Sequence, residues 1–411
     1  MEFLLATSEF EIRGHCYEGF PILLKANHDV FVEGMEFLVH HCLKRGSVQS
    51  RGSWETFGRD LCDYFEFIEA NGFDWRELDH RNHETLLALY RDISFDRFNL
   101  NASTVNRRLH LVIKFYQFAL KQGWVSTLPY DLETVRVRQT KGFLTHTDTS
   151  GGYAVKPDVL LKTTPTRIKV LNKEQVDELL KTIKNKTLRL IVRLALLTGL
   201  RKEELLTFPV TSVSAPQSVS ARSHVKVELD PQQMKTKGDV PRTIHVPISL
   251  MADLWDYLIH ERHETIRQRG THPKTLFVTA KGKPWSIRTS LNNQLNRLDL
   301  SFACHPHVLR HTYATHTLKS LMTRKSTTFN PLLYVRDRLG HSSIVTTEKY
   351  LHFLDDIEEK RLYVGEPGNW GAGRRQIHEC SEGQYRRSDD TLKSGKHRGF
   401  FSRKCLLYKN R

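Results

Sequence analysis

HPHVLRHTYATH, residues 305–316, puts an arginine and two histidines on one side of a helix. His307 and Arg310 stand at i and i+3 and His311 at i+4, while Leu309 and Tyr313 turn elsewhere. Such a face suits a phosphate oxygen, which a guanidinium holds through two parallel bonds while an imidazole adds a donor or a proton acceptor. Upstream, LLTGLRKEELL (Leu196 to Leu206) runs an apolar helix into Thr198-Gly199 and presents Arg201 just past a bend that glycine permits. Alone, that arginine reads equally as an ordinary surface residue after a helix end. Downstream, LGHSSIVTTEKYLH (Leu339 to His352) stops one helix at Gly340, offers Ser342 or Ser343 as the next N-cap, and carries Tyr350 about two turns further. A lone tyrosine there is ordinarily core.

The 411 residues carry 62 Lys+Arg against 46 Asp+Glu, a net charge of +16, which points to a polyanionic partner. An apolar fraction of 39% excludes a chain too polar to fold, and the length predicts two or three domains. The longest apolar stretch, Leu188 to Leu200, is interrupted by Arg189 and Arg193, which excludes a membrane span there. The first residues, MEFLLATSEFEIRGH, lack a basic start and a long apolar run, so no signal peptide is expected and the protein stays in the cytoplasm. Cys16, Cys42, Cys62, Cys304, Cys380 and Cys405 are far apart without a CxxC pair, so they read as reduced packing residues.

The chain divides by pattern. Residues 1–33 form an N-terminal extension, and from Gly34 to about residue 128 helical spacing dominates, with helices expected at Ser53 to Ala70 and Ser103 to Lys121. The second of these carries Arg107, Arg108, Lys114 and Lys121 beside its apolar stripe: a solvated face on the plain reading, a DNA-facing one on the sharper. Residues 129–168, rich in Thr, Ser and Gly and bearing Arg136, Arg138 and Lys141, form a linker with some extended structure. Residues 169–364 read as a second domain, mainly helical with a small antiparallel sheet. Its strands are HVKVELD (His224 to Asp230), RTIHVP (Arg242 to Pro247) and a third at Leu276 to Thr279. Its helices are expected at Lys173 to Lys184, Leu188 to Thr207, Ser249 to Arg269, Ser286 to Asp299, His307 to Leu321, Pro331 to Leu339 and Ile344 to Phe353. Residues 365–411 form a basic tail.

TGLRKEEL, HVLRH and LGHSSIVTTEKY, in that order, resemble the motif blocks of the tyrosine recombinase (phage-type integrase) family. The likeness is close from Lys173 to about Leu362, and the earlier helical segment resembles the family's core-binding domain. The resemblance implies a helical core-binding domain followed by a tyrosine-recombinase catalytic domain. It implies that Arg201 and Arg310 clamp the scissile phosphate, that His307 and His341 assist them and that Tyr350 is the nucleophile. The family's hairpin lysine falls in KTKGDVPR, where Lys237 fits the spacing to Arg242 and Lys235 is the alternative; Glu204 matches an acidic position that orients its neighbours. The segment SLMTRKSTTFNP (Ser320 to Pro331) is longer than the family pattern.

The chemistry holds without the name. A DNA phosphodiester repels nucleophiles, so cations must neutralise the charge that builds on the non-bridging oxygens. A phenol, ionising near pH ~10, needs a base and nearby cations to attack at neutral pH. His307 is the expected proton acceptor and Lys237 the expected acid for the departing 5′ oxygen. The 3′-phosphotyrosyl bond conserves the linkage energy, so no ATP, metal or other cofactor is expected. The implied partners are double-stranded recombination sites, three further copies of the chain in a tetramer on DNA, and accessory DNA-bending or directionality proteins. A metal site at His305, His307, His311 and His316 is disfavoured because Arg310 sits among the ligands and no HExxH is present. A binding protein without catalysis, or a type IB topoisomerase, are the other readings. A covalent protein–DNA adduct separates enzyme from binder, and joined products from two duplexes separate recombinase from topoisomerase.

Overall fold

The computed structural model describes residues 1–44, 51–77, 85–136, 153–164, 167–215, 223–288, 290–324 and 329–365, side chains being described through residue 356 but not at residue 51. The central part of the expected linker, with Arg138 and Lys141, and the basic tail from residue 366 lie outside the described residues.

The chain folds as two units, divided near residue 164. The first begins with strands. β1 (Glu2–Leu5), β2 (Glu11–Ile12), β3 (His15–Cys16) and β4 (Pro21–Leu24) form two small antiparallel pairs, β1 with β4 and β2 with β3. The residues read as an extension are therefore structured, and Phe20 and Leu23 enter the same core as the helices that follow. Those helices are α1 (Val32–Leu38), α2 (Arg51–Ala70), α3 (Leu86–Asp92) and α4 (Ala102–Lys121). The apolar stripe of α4, with Leu109, Val112, Phe115 and Tyr116, packs on Leu61, Tyr64 and Phe65 of α2. The buried Tyr64 and Tyr116 hydroxyls bond each other at 2.8 Å, so neither polar tip is stranded in the apolar interior. β5 (Leu132–Arg136) and β6 (Tyr153–Pro157) pair in antiparallel register from Leu132↔Pro157 to Arg136↔Tyr153. Asn106 fixes the chain beyond them to α4, its side chain donating to the Leu161 carbonyl at 2.8 Å and accepting from the Leu161 N–H at 2.9 Å.

The second unit opens with two helices, of which the second is deeply buried. α5 (Lys173–Thr182) starts at Asn172 in a capping box with Gln175, and α6 (Lys186–Thr198) is capped by Asn185. The apolar period continues past Thr198, but Gly199 adopts φ 67° and ends α6, so the helix expected over Leu188 to Thr207 breaks and resumes as α7 (Lys202–Leu206). β7 (His224–Leu229) and β8 (Arg242–Pro247) form the expected antiparallel hairpin, in register from His224↔Pro247 to Leu229↔Arg242. α8 (Ile248–Tyr257) leads through a wider turn at 258–262 into α9 (His263–Arg269), and α10 (Ser290–Asn296) is shorter than Ser286 to Asp299. The strand expected at Leu276 to Thr279 is not formed. That segment makes only single bridges, Pro209↔Thr275 and Val278↔Pro284, and its apolar character comes from burial of Leu276 and Phe277.

α11 (Pro306–Met322) has Pro306 in its first turn and buries residues all round, from Val308 to Leu321, against α6, α12 (Pro331–Leu339) and α13 (Val345–Gly365). α12 is capped by Asn330 and ends at Gly340 with φ 62°; α13 continues well past Phe353. The helix ends that close on α11, which bears the HVLRH motif, therefore carry the other two motifs.

Candidate active site

Arg310 projects from α11 toward two helix C-termini. Its Nη1 donates to the Gly199 carbonyl and its Nη2 to the Leu339 carbonyl, each at 2.6 Å, where the last carbonyls of α6 and α12 lack helical partners. The guanidinium is 4% exposed, and burial, then the like charge of Arg201, press its pKa down to about 9, which leaves it charged at neutral pH. The end of α12 receives two more arginines. Arg201 Nη2 donates to the Gly340 carbonyl at 3.0 Å, and Arg242 Nε to the Arg338 carbonyl at 3.2 Å. Three successive carbonyls thus hold three arginines from α11, the turn before α7, and β8.

Glu204 joins two of them. Its buried carboxylate accepts a fork from Arg242 at 2.7 and 2.6 Å, a bond from Arg201 Nη1 at 3.2 Å and one from the Arg201 backbone N–H at 2.7 Å. Burial works against this charge, but the Arg242 bonds and the Arg201 contacts outweigh it and hold the carboxyl below its ordinary range. Three guanidiniums against one carboxylate leave an uncompensated positive cluster.

Tyr350, on α13, is 1% exposed and lies within the field of Arg310 and Arg201, which favours the phenolate, although burial still raises its pKa to about 12. Its hydroxyl shares a 2.9 Å hydrogen bond with His311 Nδ1. The His341 ring lies parallel to the tyrosine ring, 6.5 Å between centroids, and His341 Nδ1 meets Thr347 Oγ1 at 2.9 Å. Lys349, half-buried, places its ammonium 5.1 Å from the Tyr350 ring centre. Burial, then Arg310 and Arg201, pull His341 down to about 3, and burial with Lys349 pulls His311 down to about 4, so both rings are neutral at pH 7.

The structure therefore gathers Arg201, Glu204, Arg310, His341 and Tyr350. His307 sits one turn before His311 on α11, ring centroids 6.2 Å apart, and burial with Arg310 lowers its pKa. Lys235 and Lys237 both lie exposed on the turn between β7 and β8, and the Lys235 N–H donates to Thr207 Oγ1 at 3.0 Å. In the first unit Arg107 pairs with Asp60, and Arg108 with Asp63, across to α2, while Lys114 and Lys121 are exposed. Three participants were not singled out as site residues. In the sequence Arg242 is only a spacing mark for the hairpin lysine, Lys349 carries no signal, and His311 shares the helix face of His307 without any link to Tyr350. The i+4 spacing of His311 from His307 was the available signal. Among the described residues no group of three or more His, Cys, Asp or Glu is disposed to hold a metal ion. No helix among them is long and apolar enough to cross a membrane.

Residues 169–356 match the phage integrase family, and residues 40–123 match the phage integrase N-terminal SAM-like domain. The chain belongs to the tyrosine recombinase family. It is thus a tyrosine-type site-specific recombinase, an enzyme that recombines DNA. It is similar to tyrosine recombinase XerC of Roseiflexus castenholzii, at 27% identity over 335 residues that cover 78% of this chain and 88% of that one. Transposase A from transposon Tn554 of Staphylococcus aureus is 26% identical over 261 residues, covering 62% of this chain and 67% of that one. Among solved structures, the XerH site-specific recombinase bound to palindromic difH substrate in a post-cleavage complex shares the fold. Its TM-score is 0.53 at 17% identity, over 81% of this chain and 95% of that one. The recombinase keeps that fold although little of its sequence is shared.

Proposed function

We propose that this recombinase cuts and rejoins double-stranded DNA at specific sites through a 3′-phosphotyrosyl bond to Tyr350, integrating or excising a mobile element. The observation that carries the reading is a buried phenol beside two arginines whose guanidiniums are already fixed by helix-end carbonyls. Prepositioned cations meet the developing negative charge without reorganising at the moment of reaction. Arg201 and Arg310 face the non-bridging oxygens of the scissile phosphate, with His307 and His341 beside them. Glu204 and Arg242 keep Arg201 in place. Lys237 protonates the departing 5′ oxygen, Lys235 being the alternative. Reversal of the step by a 5′ hydroxyl from a second duplex gives strand exchange without ATP.

The helical segment 34–128 serves as the core-binding domain, with Lys114 and Lys121 toward the backbone and Arg107 and Arg108 tied to α2. Residues 129–168 link it to the catalytic domain at 169–364. Two duplexes cut on both strands need four active sites, so the working form is a homotetramer on two DNA sites. Accessory DNA-bending or directionality proteins act with it, among the genomic DNA of the cytoplasm.

The test is cleavage of nicked duplexes, in which the cut strand cannot be resealed. Tyr350→Phe binds DNA as the parent does and forms no covalent adduct. Arg201→Ala and Arg310→Ala each lose cleavage far more than binding, since many other cations hold the backbone. Equal losses in both assays make them binding residues only. Lys237→Ala recovers on a substrate with a 5′-bridging sulfur, which leaves without a proton; recovery by Lys235→Ala in its place moves the acid to Lys235.

A further inference from the structure

The sequence motifs direct attention to His307, yet the tyrosine hydroxyl is bonded one helical turn away. We infer that His311 takes the proton of Tyr350 as the phenolic oxygen attacks phosphorus, which leaves His307 to the phosphate. This deepens the proposed function and rests on Tyr350 being the nucleophile. The geometry is direct: Nδ1 lies 2.9 Å from the hydroxyl, within a side-chain pair that joins α11 to α13. An imidazole with its proton on Nε2 offers a lone pair at Nδ1, and the phenol is then the donor.

The groups facing His311 keep it ready to accept. Lys349 from α13, His307 and Arg310 from its own helix, and His305 at the helix start all bear on it electrostatically, and His341 neighbours it from the turn after α12. Burial first, and then the cations Lys349 and Arg310, disfavour a second proton, so the ring is neutral in the DNA-free chain. A phosphate anion held by Arg201 and Arg310 offsets those same cations. The basicity of His311 therefore rises as the substrate arrives, when the tyrosine must release its proton. The step balances. A bond forms from Tyr350 Oη to phosphorus, the hydroxyl proton passes to His311 Nδ1, the bond from phosphorus to the 5′ oxygen breaks, and that oxygen takes a proton from the lysine. Rejoining returns the proton from His311 to the phenolic oxygen.

The experiment uses the full chain and nicked duplexes captured covalently by it from a randomised library, with single-turnover cleavage followed across pH. His311→Asn and His311→Gln bind these duplexes as the parent does, which reports folding, and cleave at least about 100-fold more slowly. Their rates climb with pH as hydroxide replaces the missing base. The defect persists on the 5′-bridging sulfur substrate, unlike that of Lys237→Ala. Added imidazoles restore His311→Ala in the order of their basicity, which a packing role does not produce. Cleavage by His311→Asn within about threefold of the parent with an unchanged pH profile overturns the inference, and so does a defect erased by the bridging sulfur. An adduct on Tyr350 combined with parent-like His311 variants defeats this inference alone, whereas an adduct on another tyrosine defeats the reading beneath it.

Discussion

Arg310 and Glu204 hold opposite charges in nearly dry surroundings; Arg310 is satisfied by carbonyls of the other two motifs, and Glu204 by Arg201 of its own motif and Arg242 of β8. Arg310→Lys keeps the charge but offers no planar fork, so one of the two helix-end carbonyls loses its partner. Glu204→Gln keeps the shape but leaves Arg242 and Arg201 without their counter-charge. Removal of one partner from a buried pair costs about 3–5 kcal/mol, and an orphaned buried carbonyl about 1–3 kcal/mol. Both variants are therefore expected to lower the urea midpoint of unfolding, Glu204→Gln more, and both to slow cleavage while DNA binding persists. A midpoint unchanged in Glu204→Gln contradicts the central place given to that carboxylate. Much of this was legible: the triplet TGL-Arg201, His307 to Arg310 and LGH to Tyr350 fixed which residues meet. The His311–Tyr350 bond and the Arg242–Glu204 fork were not, because each depends on how two elements distant in sequence lie against each other, and periodicity reports only one element at a time.

At the scale of elements, the site is made from helix ends. Gly199 has φ 67°, and a Cβ there overlaps the Tyr313 ring, so backbone strain and overlap act together. Gly199→Ala is expected to lower stability by more than about 1 kcal/mol and to shift Arg201, which follows two residues later. Thermal unfolding and cleavage measured on one preparation check this; a variant as stable and as active as the parent shows that the bend is not required. Boundaries were legible where capping chemistry is strong, as in α12, which spans Pro331–Leu339 as expected between Asn330 and Gly340. They were lost where an apolar period ran across a break, as at Gly199, and where an apolar run was buried without pairing, as at Leu276 and Phe277. The N-terminal strands escaped because β2 and β3 have two residues each, too short for alternation to show.

Across the whole molecule, the surplus of 16 positive charges favours a polyanionic partner. Binding is expected to weaken steeply with salt, and Lys114→Ala or Lys121→Ala each to reduce the log–log salt slope by about one. Arg108→Ala is expected to act differently, destabilising the first unit through Asp63 and Tyr90. Fluorescence anisotropy over a salt series distinguishes them; slopes identical to the parent for both lysine variants remove α4 from the DNA interface. The decisive bond is the one between DNA and Tyr350. The direct measurement is to incubate the full chain with nicked duplexes from a randomised library, denature, digest with trypsin and find the peptide that carries nucleotide. The account predicts the peptide from Tyr350 to Lys360, YLHFLDDIEEK, which holds a single tyrosine. Nucleotide on the peptides containing Tyr313 or Tyr334, or DNA bound tightly with no peptide modified, contradicts it.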